Sequence, residues 1–299
     1  MGSKILANLE NFDLSLKYWE VGRMHNYAGK VVVITGGATG IGFAFAKAFG
    51  AEGAKVIIAE PRLNRLEEAV SALEGLGIEA RHFICDVTDP AQVEALADFA
   101  WDTYGHVDVL LSNAGVSAPR HKVPDMPLEE VHKVFAVNFF GVWHCAASFG
   151  RRMREQGTPA AIYNVGSENS FFSAVPQGTA YMATKHAVLA LTEGLREDMP
   201  DFVTVGMIVP GWVQSELIDP RSVHLAMDAD RFAGICLPQI KAGEPYVVSH
   251  AFNIEHIDAR HAAVSKAYES YAPRYEGDDE YDVRTLVRKM TEARARKTQ

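Results

Sequence analysis

Val31-Val32-Val33-Ile34-Thr35-Gly36-Gly37-Ala38-Thr39-Gly40-Ile41-Gly42 decides how this chain is read. Four consecutive β-branched residues cannot alternate between core and solvent. They predict a strand buried on both faces, as parallel sheets require. The glycines that follow are spaced G-x-x-x-G-x-G and lead into a helical stretch over residues 41–52. Such a turn lets backbone approach a ligand closely and aims the first amides of a helix at an anion. Thr35, Gly36, Thr39, Gly40, Ile41 and Gly42 are therefore candidates for holding a pyrophosphate. Taken alone, the glycines also suit a plain tight turn.

Working outward, the same alternation repeats. Lys55–Ala59, Ala80–Ile84, Val107–Leu111, Ala160–Val165 and Phe202–Val209 read as further strands. Helices are expected at Leu63–Leu76, from Asp89 as N-cap with Pro90 as first position, from Leu128 to about Arg154, and at Tyr181–Asp198. Strand and helix in strict succession predict an α/β fold, a single doubly wound parallel sheet with helices on both faces. The expected domain covers residues 29–272, with an irregular substrate loop at 212–245. Residues 1–28 carry Leu6, Leu9, Phe12, Leu16 and Trp19 at helical spacing, which predicts an N-terminal helical arm. Residues 273–299 predict a C-terminal tail helix, acidic at Glu276–Glu280 and basic from Arg284, with Val283, Leu286, Val287 and Met290 on one face.

Composition narrows the function classes. Of 299 residues, 48% are hydrophobic, enough to form a core, and the formal charge is 29 − 38 = −9. An acidic chain without a basic run is a poor partner for a phosphate backbone, so no nucleic acid is expected. Cys85, Cys145 and Cys236 form no CxxC pair, and His121, His132 and His144 match no ligand motif, so no metal is expected. No apolar run approaches the roughly 18 residues of a membrane span. Residues 1–10 lack the apolar core of a secretory signal, and Leu6 breaks a myristoylation pattern. A cytoplasmic protein without a membrane partner is the expectation.

Four further residues carry chemistry. Glu60 ends the second strand, about 20 residues beyond the glycine turn, where a carboxylate grips adenosine ribose hydroxyls. It would repel a 2′-phosphate and so favours NAD over NADP, although Arg62 stands two residues on. Tyr181 and Lys185 lie one helical turn apart, so a lysine ammonium can favour the phenolate of a residue whose usual pKa is about 10. Ser167 closes the fifth strand, at the sheet edge where open α/β folds place their sites.

This combination resembles the short-chain dehydrogenase/reductase family over about residues 28–215. The shared motifs are TGGATGIG at Thr35–Gly42, Asp86-Val87, Asn113-Ala114-Gly115, Asn138, Ser167, the Tyr181/Lys185 pair and Pro210-Gly211-Trp212-Val213. The resemblance implies a Rossmann-like fold with Asn138, Ser167, Tyr181 and Lys185 as catalytic residues. Tyr181 would be the acid/base and Ser167 would hold the substrate oxygen. Lys185 would bind the nicotinamide ribose and lower the Tyr181 pKa, and Asn138 would anchor a water leading to solvent. Asp86 and Val87 would border the adenine, Asn113 would brace the central strands beside Ala114 and Gly115, and Pro210, Gly211 and Val213 would face the nicotinamide. Asp86 also reads as a simple turn cap, Asn113 as a structural hydrogen-bonder, and Asn138 as a polar residue satisfied by neighbouring backbone.

Departures from the family pattern are instructive. The Ser167-to-Tyr181 spacing is fourteen, one longer than the family's, so the Phe171–Gly178 loop should differ in shape. Glu168 occupies the expected spacing, and Ser170 is the fallback for Ser167. Tyr246–Ser249 is followed by a helical stretch, Ile254–Tyr271, rather than a glycine-rich close. The long tail resembles bacterial C alpha dehydrogenases of benzylic alcohols in lignin-derived aryl ethers.

Ser117, Phe171, Phe172, Val175, Trp212 and Met227 would line the substrate pocket, unless they pack loops onto the sheet instead. The lining suits a bulky apolar or aromatic secondary alcohol, oxidised reversibly to a ketone with NAD. The competing readings are a dinucleotide-binding sensor or interaction protein without turnover, and a dehydratase or epimerase on the same scaffold. A homodimer or homotetramer is the expected assembly.

Overall fold

In the computed structural model, which describes residues 26–297, strands and helices alternate as follows. β1 (Val31–Thr35), α1 (Gly40–Ala51), β2 (Lys55–Glu60), α2 (Leu63–Gly75), β3 (Ala80–Ile84), α3 (Pro90–Tyr104) and β4 (Val109–Ser112) build the first half. α4 (Leu128–Phe135), α5 (Val142–Gln156), β5 (Ala160–Val165), α6 (Thr179–Asp198), β6 (Val203–Val209), α7 (Ala229–Ala242) and β7 (Tyr246–Val248) complete the sheet region. α8 (Asn253–Tyr271) and α9 (Val283–Lys297) follow.

All strand pairs are parallel, in the order β3-β2-β1-β4-β5-β6-β7. This is the Rossmann-like, doubly wound sheet expected. The order reverses between β1 and β4, where Val32 pairs with both Val56 and Val109. Such a switch point opens a crevice at the carboxyl ends of the strands.

The β-branched run of β1 is fully buried because it feeds two cores. Val32 and Ile34 join Phe45, Phe49, Leu66 and Phe232 on one face. Val31 and Val33 join Val93, Leu96, Phe149 and Met153 on the other. At α3, Asp89 caps the helix by accepting from Ala91 N, with Pro90 next.

Two elements differ from their sequence-based expectations. The long helix expected over 128–154 is continuous from Leu128 to Gln156, but it carries a π-helical segment, Ala136–Gly141, between α4 and α5. The cause is local crowding and polarity: Asn138 must reach across to Val116, and Gly141 packs so closely that a Cβ there would lie 2.6 Å from Val87 Cγ2. Tyr246–Val248 also joins the sheet as a seventh parallel strand beside β6.

Asn26–Ile254 fall in one compact unit and Glu255–Lys297 in a second. Within the second, Val283, Leu286, Val287 and Met290 of α9 form an exposed apolar face. The apolar stripe from Leu6 to Trp19 lies outside the described residues. Among the described residues, no helix is long and apolar enough to cross a membrane.

Candidate active site

The glycine turn between β1 and α1 is shaped by close backbone contact. Gly36 has φ +62°, and a Cβ on it would lie 2.9 Å from Ala114 Cα. On Gly42 a Cβ would meet Gly36 O at 2.3 Å. Asn113 holds this geometry, its Nδ2 donating to the carbonyls of Thr35 and Gly36, both at 3.0 Å. Thr35 Oγ1 in turn accepts from the backbone of Asn113 and Ala114 at 3.1 and 3.2 Å. Asn113 therefore ties β4 to the turn at the switch point. Thr39, the N-cap of α1, makes no side-chain capping bond, and the first turn holds no acid. A helix start without a capping side chain or an acid in its first turn suits a pyrophosphate.

At the carboxyl end of β2, Glu60 is buried and Arg62 grips it. Nε and the backbone N of Arg62 donate to Glu60 Oε1, and Nη2 donates to Oε2 at 3.0 Å. Three donors leave part of the four-site acceptor capacity of a carboxylate for a ribose hydroxyl. Arg62 also reaches Glu216, in the loop after β6, at 2.8 Å. Nothing near Glu60 in sequence signals that contact. Asp86, at the end of β3, accepts from Thr88 N and Oγ1 at 2.9 and 2.8 Å and so caps its own turn. Val87 is buried against Gly141, and its carbonyl meets His144 Nδ1 at 2.9 Å.

Ser167 lies just after β5, Tyr181 and Lys185 on α6, and Asn138 in the π segment. Ser167 is buried, and its hydroxyl favours the phenolate of Tyr181. Its Oγ also accepts from Asn169 N at 3.1 Å. Ser170 turns away: its Oγ accepts from Ser167 N at 3.2 Å, so it supports Ser167 rather than replacing it. Lys185 Nζ donates to Val165 O at 2.8 Å and stands 5.6 Å from the Tyr181 ring centre.

Burial pushes the Tyr181 phenol up to about 12; the Ser167 hydroxyl opposes this and the Glu168 carboxylate adds to it. Burial also brings Lys185 down to about 8. In the chain alone, then, desolvation outweighs the lowering of the Tyr181 pKa that the Lys185 ammonium was expected to provide.

Asn138 is fully buried and its side chain committed. Oδ1 accepts from Val116 N at 2.8 Å, and Nδ2 donates to Val116 O at 3.0 Å and to Thr184 Oγ1 at 3.3 Å. Thr184 then donates to Tyr181 O at 2.7 Å. Sequence reasoning passed over Thr184. The available signal was a buried hydroxyl three residues after Tyr181 on the helix.

The expected pocket residues divide. His121 N donates to Gln177 O at 3.2 Å, bringing the loop after Gly115 and Ser117 beside the loop carrying Phe172 and Val175. Gln177 in this second loop adopts the left-handed conformation, at φ +63°. Trp212 is exposed next to Gly211, against whose backbone the His250 ring packs. The carbonyl of Pro210 accepts from Glu168 N, holding the turn after β6 beside Ser167. Phe171 packs edge-on against Tyr246, 6.1 Å between ring centres. Met227 packs on the core while its backbone pairs with Trp212 and Gln214. Val213 is buried and bridges Met227.

Comparison with known proteins gives a consistent result. The profile of the short chain dehydrogenase family matches residues 30–224. The chain is 34% identical over 228 residues to 1-deoxy-11-beta-hydroxypentalenate dehydrogenase of Streptomyces avermitilis, across 73% of this chain and 84% of that one. It is 34% identical over 207 residues to the C alpha-dehydrogenase of a Sphingobium species, across 68% and 67%. Among solved structures, a short chain dehydrogenase/reductase of Burkholderia phymatum in complex with NAD superposes at a TM-score of 0.75. That match has 28% identity and covers 81% of this chain and 96% of the other.

Proposed function

The chain belongs to the short-chain dehydrogenase family, and from that premise we propose that it reversibly oxidises a bulky apolar or aromatic secondary alcohol to a ketone, with NAD. Membership makes it an oxidoreductase acting on hydroxyl groups with a nicotinamide dinucleotide. The glycine cradle, the uncapped start of α1 and the residual acceptor capacity of Glu60 fit such a group. Thr35, Gly36, Thr39 to Gly42, Glu60, Val87, Asn113 to Gly115, Lys185 and the turn at Pro210, Gly211 and Val213 would hold it. When bound, it supplies the carbon that accepts the hydride.

The observation that carries the reading is the pairing of Tyr181 and Lys185 one turn apart on α6, with Lys185 Nζ 5.6 Å from the Tyr181 ring centre and Ser167 buried just beyond β5. Tyr181 takes the proton from the substrate hydroxyl, and returns it in the reverse direction. Ser167 donates to the same oxygen as negative charge develops on it. The Lys185 ammonium favours the phenolate that Tyr181 must become. Asn138 fixes Val116, and with it the loop bearing Ser117, against α6. Glu60 supports NAD over NADP, because a carboxylate faces the site of a 2′-phosphate.

For the substrate, Trp212, Phe172 and Val175 offer apolar surface around the sheet edge, while Phe171 and Met227 shape the pocket from behind. Copies of the chain are the proposed protein partner. Half-exposed Phe140 and Trp143, edge-on to Phe139 at 5.1 and 6.0 Å, supply an apolar surface for a homodimer or homotetramer. The test is Tyr181→Phe, assayed by NADH formation with a panel of aryl and aliphatic secondary alcohols. Turnover should vanish while NAD still binds; turnover within tenfold of the parent would sink the assignment.

A further inference from the structure

Two arginines stand beside the carboxyl end of β2, where the adenosine ribose is proposed to lie. A pair of guanidinium groups is a ready receptor for a phosphate dianion, which it can meet with parallel donors. Here both are already engaged. Arg62 grips Glu60 and donates through Nη1 to Glu216 Oε2 at 2.8 Å. Arg65 Nη2 lies 3.1 Å from Glu216 Oε1, and its Nη1 donates to Glu68 at 3.2 Å.

Glu216 thus spans the two arginines with one oxygen on each. It comes from the loop after β6, 154 residues further along the chain than Arg62. That loop is held in place independently. A Cβ on Gly40 would lie 3.0 Å from Ser215 Cβ, so the loop runs directly over the glycine turn. Gln214 N donates to Met227 O at 2.9 Å, fixing its other side.

The charge balance follows. Arg62 and Arg65 face Glu60, Glu68 and Glu216, for a sum of 2 − 3 = −1. A 2′-phosphate would have to displace Glu216 from both guanidinium groups or sit beside its charge. A 2′-hydroxyl needs only the remaining acceptor capacity of Glu60. We propose that Glu216 is a specificity-determining residue that closes the Arg62/Arg65 pair to a 2′-phosphate, so that preference for NAD is set from the loop after β6 as well as from β2. The inference rests on the reading that this end of β2 receives the adenosine ribose.

The test uses binding rather than turnover. Calorimetric titration of the full-length chain with adenosine 2′,5′-bisphosphate and with 5′-AMP gives a ratio of affinities. In Glu216→Gln, and in Glu216→Ala as a second variant, this ratio should shift toward the bisphosphate by about tenfold, or about 1.4 kcal/mol. Adding Arg62→Met to Glu216→Gln should cancel the gain. A ratio within twofold of the parent in both single variants overturns the proposal, as does a gain that survives loss of Arg62. The parent's own ratio reports separately on NAD preference. Tighter binding of the bisphosphate by the parent would refute that preference, while the change on substitution still decides the role of Glu216.

Discussion

Replacing Thr184 by valine keeps the shape of a fully buried side chain and removes only its hydroxyl. That hydroxyl donates to Tyr181 O at 2.7 Å and accepts from Asn138 Nδ2 at 3.3 Å. The Tyr181 carbonyl belongs to α6 and keeps its place in the helical ladder. Asn138 fares worse. It retains Val116, but one amide hydrogen is left buried without its acceptor, which costs about 1–3 kcal/mol. The extra buried methyl offsets part of this, leaving a net loss of roughly 1–2 kcal/mol. For a chain of this size the melting temperature should fall by roughly 2–8 °C. A double-mutant cycle with Asn138→Ala should show coupling of at least about 0.5 kcal/mol, because both changes act on the same bond. kcat should fall along with stability, since the lost bond links the π segment to the backbone carrying Tyr181. Melting within 1 °C of the parent, or strictly additive costs, would refute the view that Thr184 links these elements.

Two further predictions concern the glycine turn and the lysine. Gly42→Ala sets a Cβ 2.3 Å from Gly36 O and 2.5 Å from Asn113 Nδ2. It should cost about 1–3 kcal/mol through overpacking and weaken NAD binding at least about tenfold; calorimetry and thermal melting measure both, and unchanged NAD affinity contradicts the role of the turn. Lys185 lies near pH 8 when folded, against 10.5 for the ordinary side chain. Between those values the unfolded chain keeps the proton and the folded chain does not, so this residue's contribution to stability rises with pH across that window. Against Lys185→Met, the parent should gain up to about 2 kcal/mol from pH 8 to 9.5, read by urea unfolding at each pH. A flat difference refutes it.

The sheet was legible because a strand buried on both faces leaves a near-continuous apolar run, as at Val31–Ile34 and Val203–Val209. The glycine turn, Ser167 and the Tyr181/Lys185 pair were legible because their chemistry depends on short spacing. The π segment at Ala136–Gly141 was not, since it shifts the helical phase without changing residue types. Nor could aromatic character say that Phe171 faces Tyr246 and the protein interior, whereas Trp212 faces outward. The same limit hid Glu216, whose partners are fixed by the path of a loop and by no local pattern. The orientation of Ser170 required the short helical turn at Glu168–Ser170 to be known first.

The bonds from Asn113 to the Thr35 and Gly36 carbonyls have a thermodynamic consequence. They brace the anion cradle from within the fold, with the turn locked to the central strand of the sheet. Association with the dinucleotide therefore involves little ordering of backbone at this end, and its free energy goes into contact rather than into folding a loop. The pyrophosphate half of the site should bind as a rigid receptor, with fast association that is insensitive to the rest of the pocket. Ordering on binding, where it occurs, is left to the loops that meet the substrate.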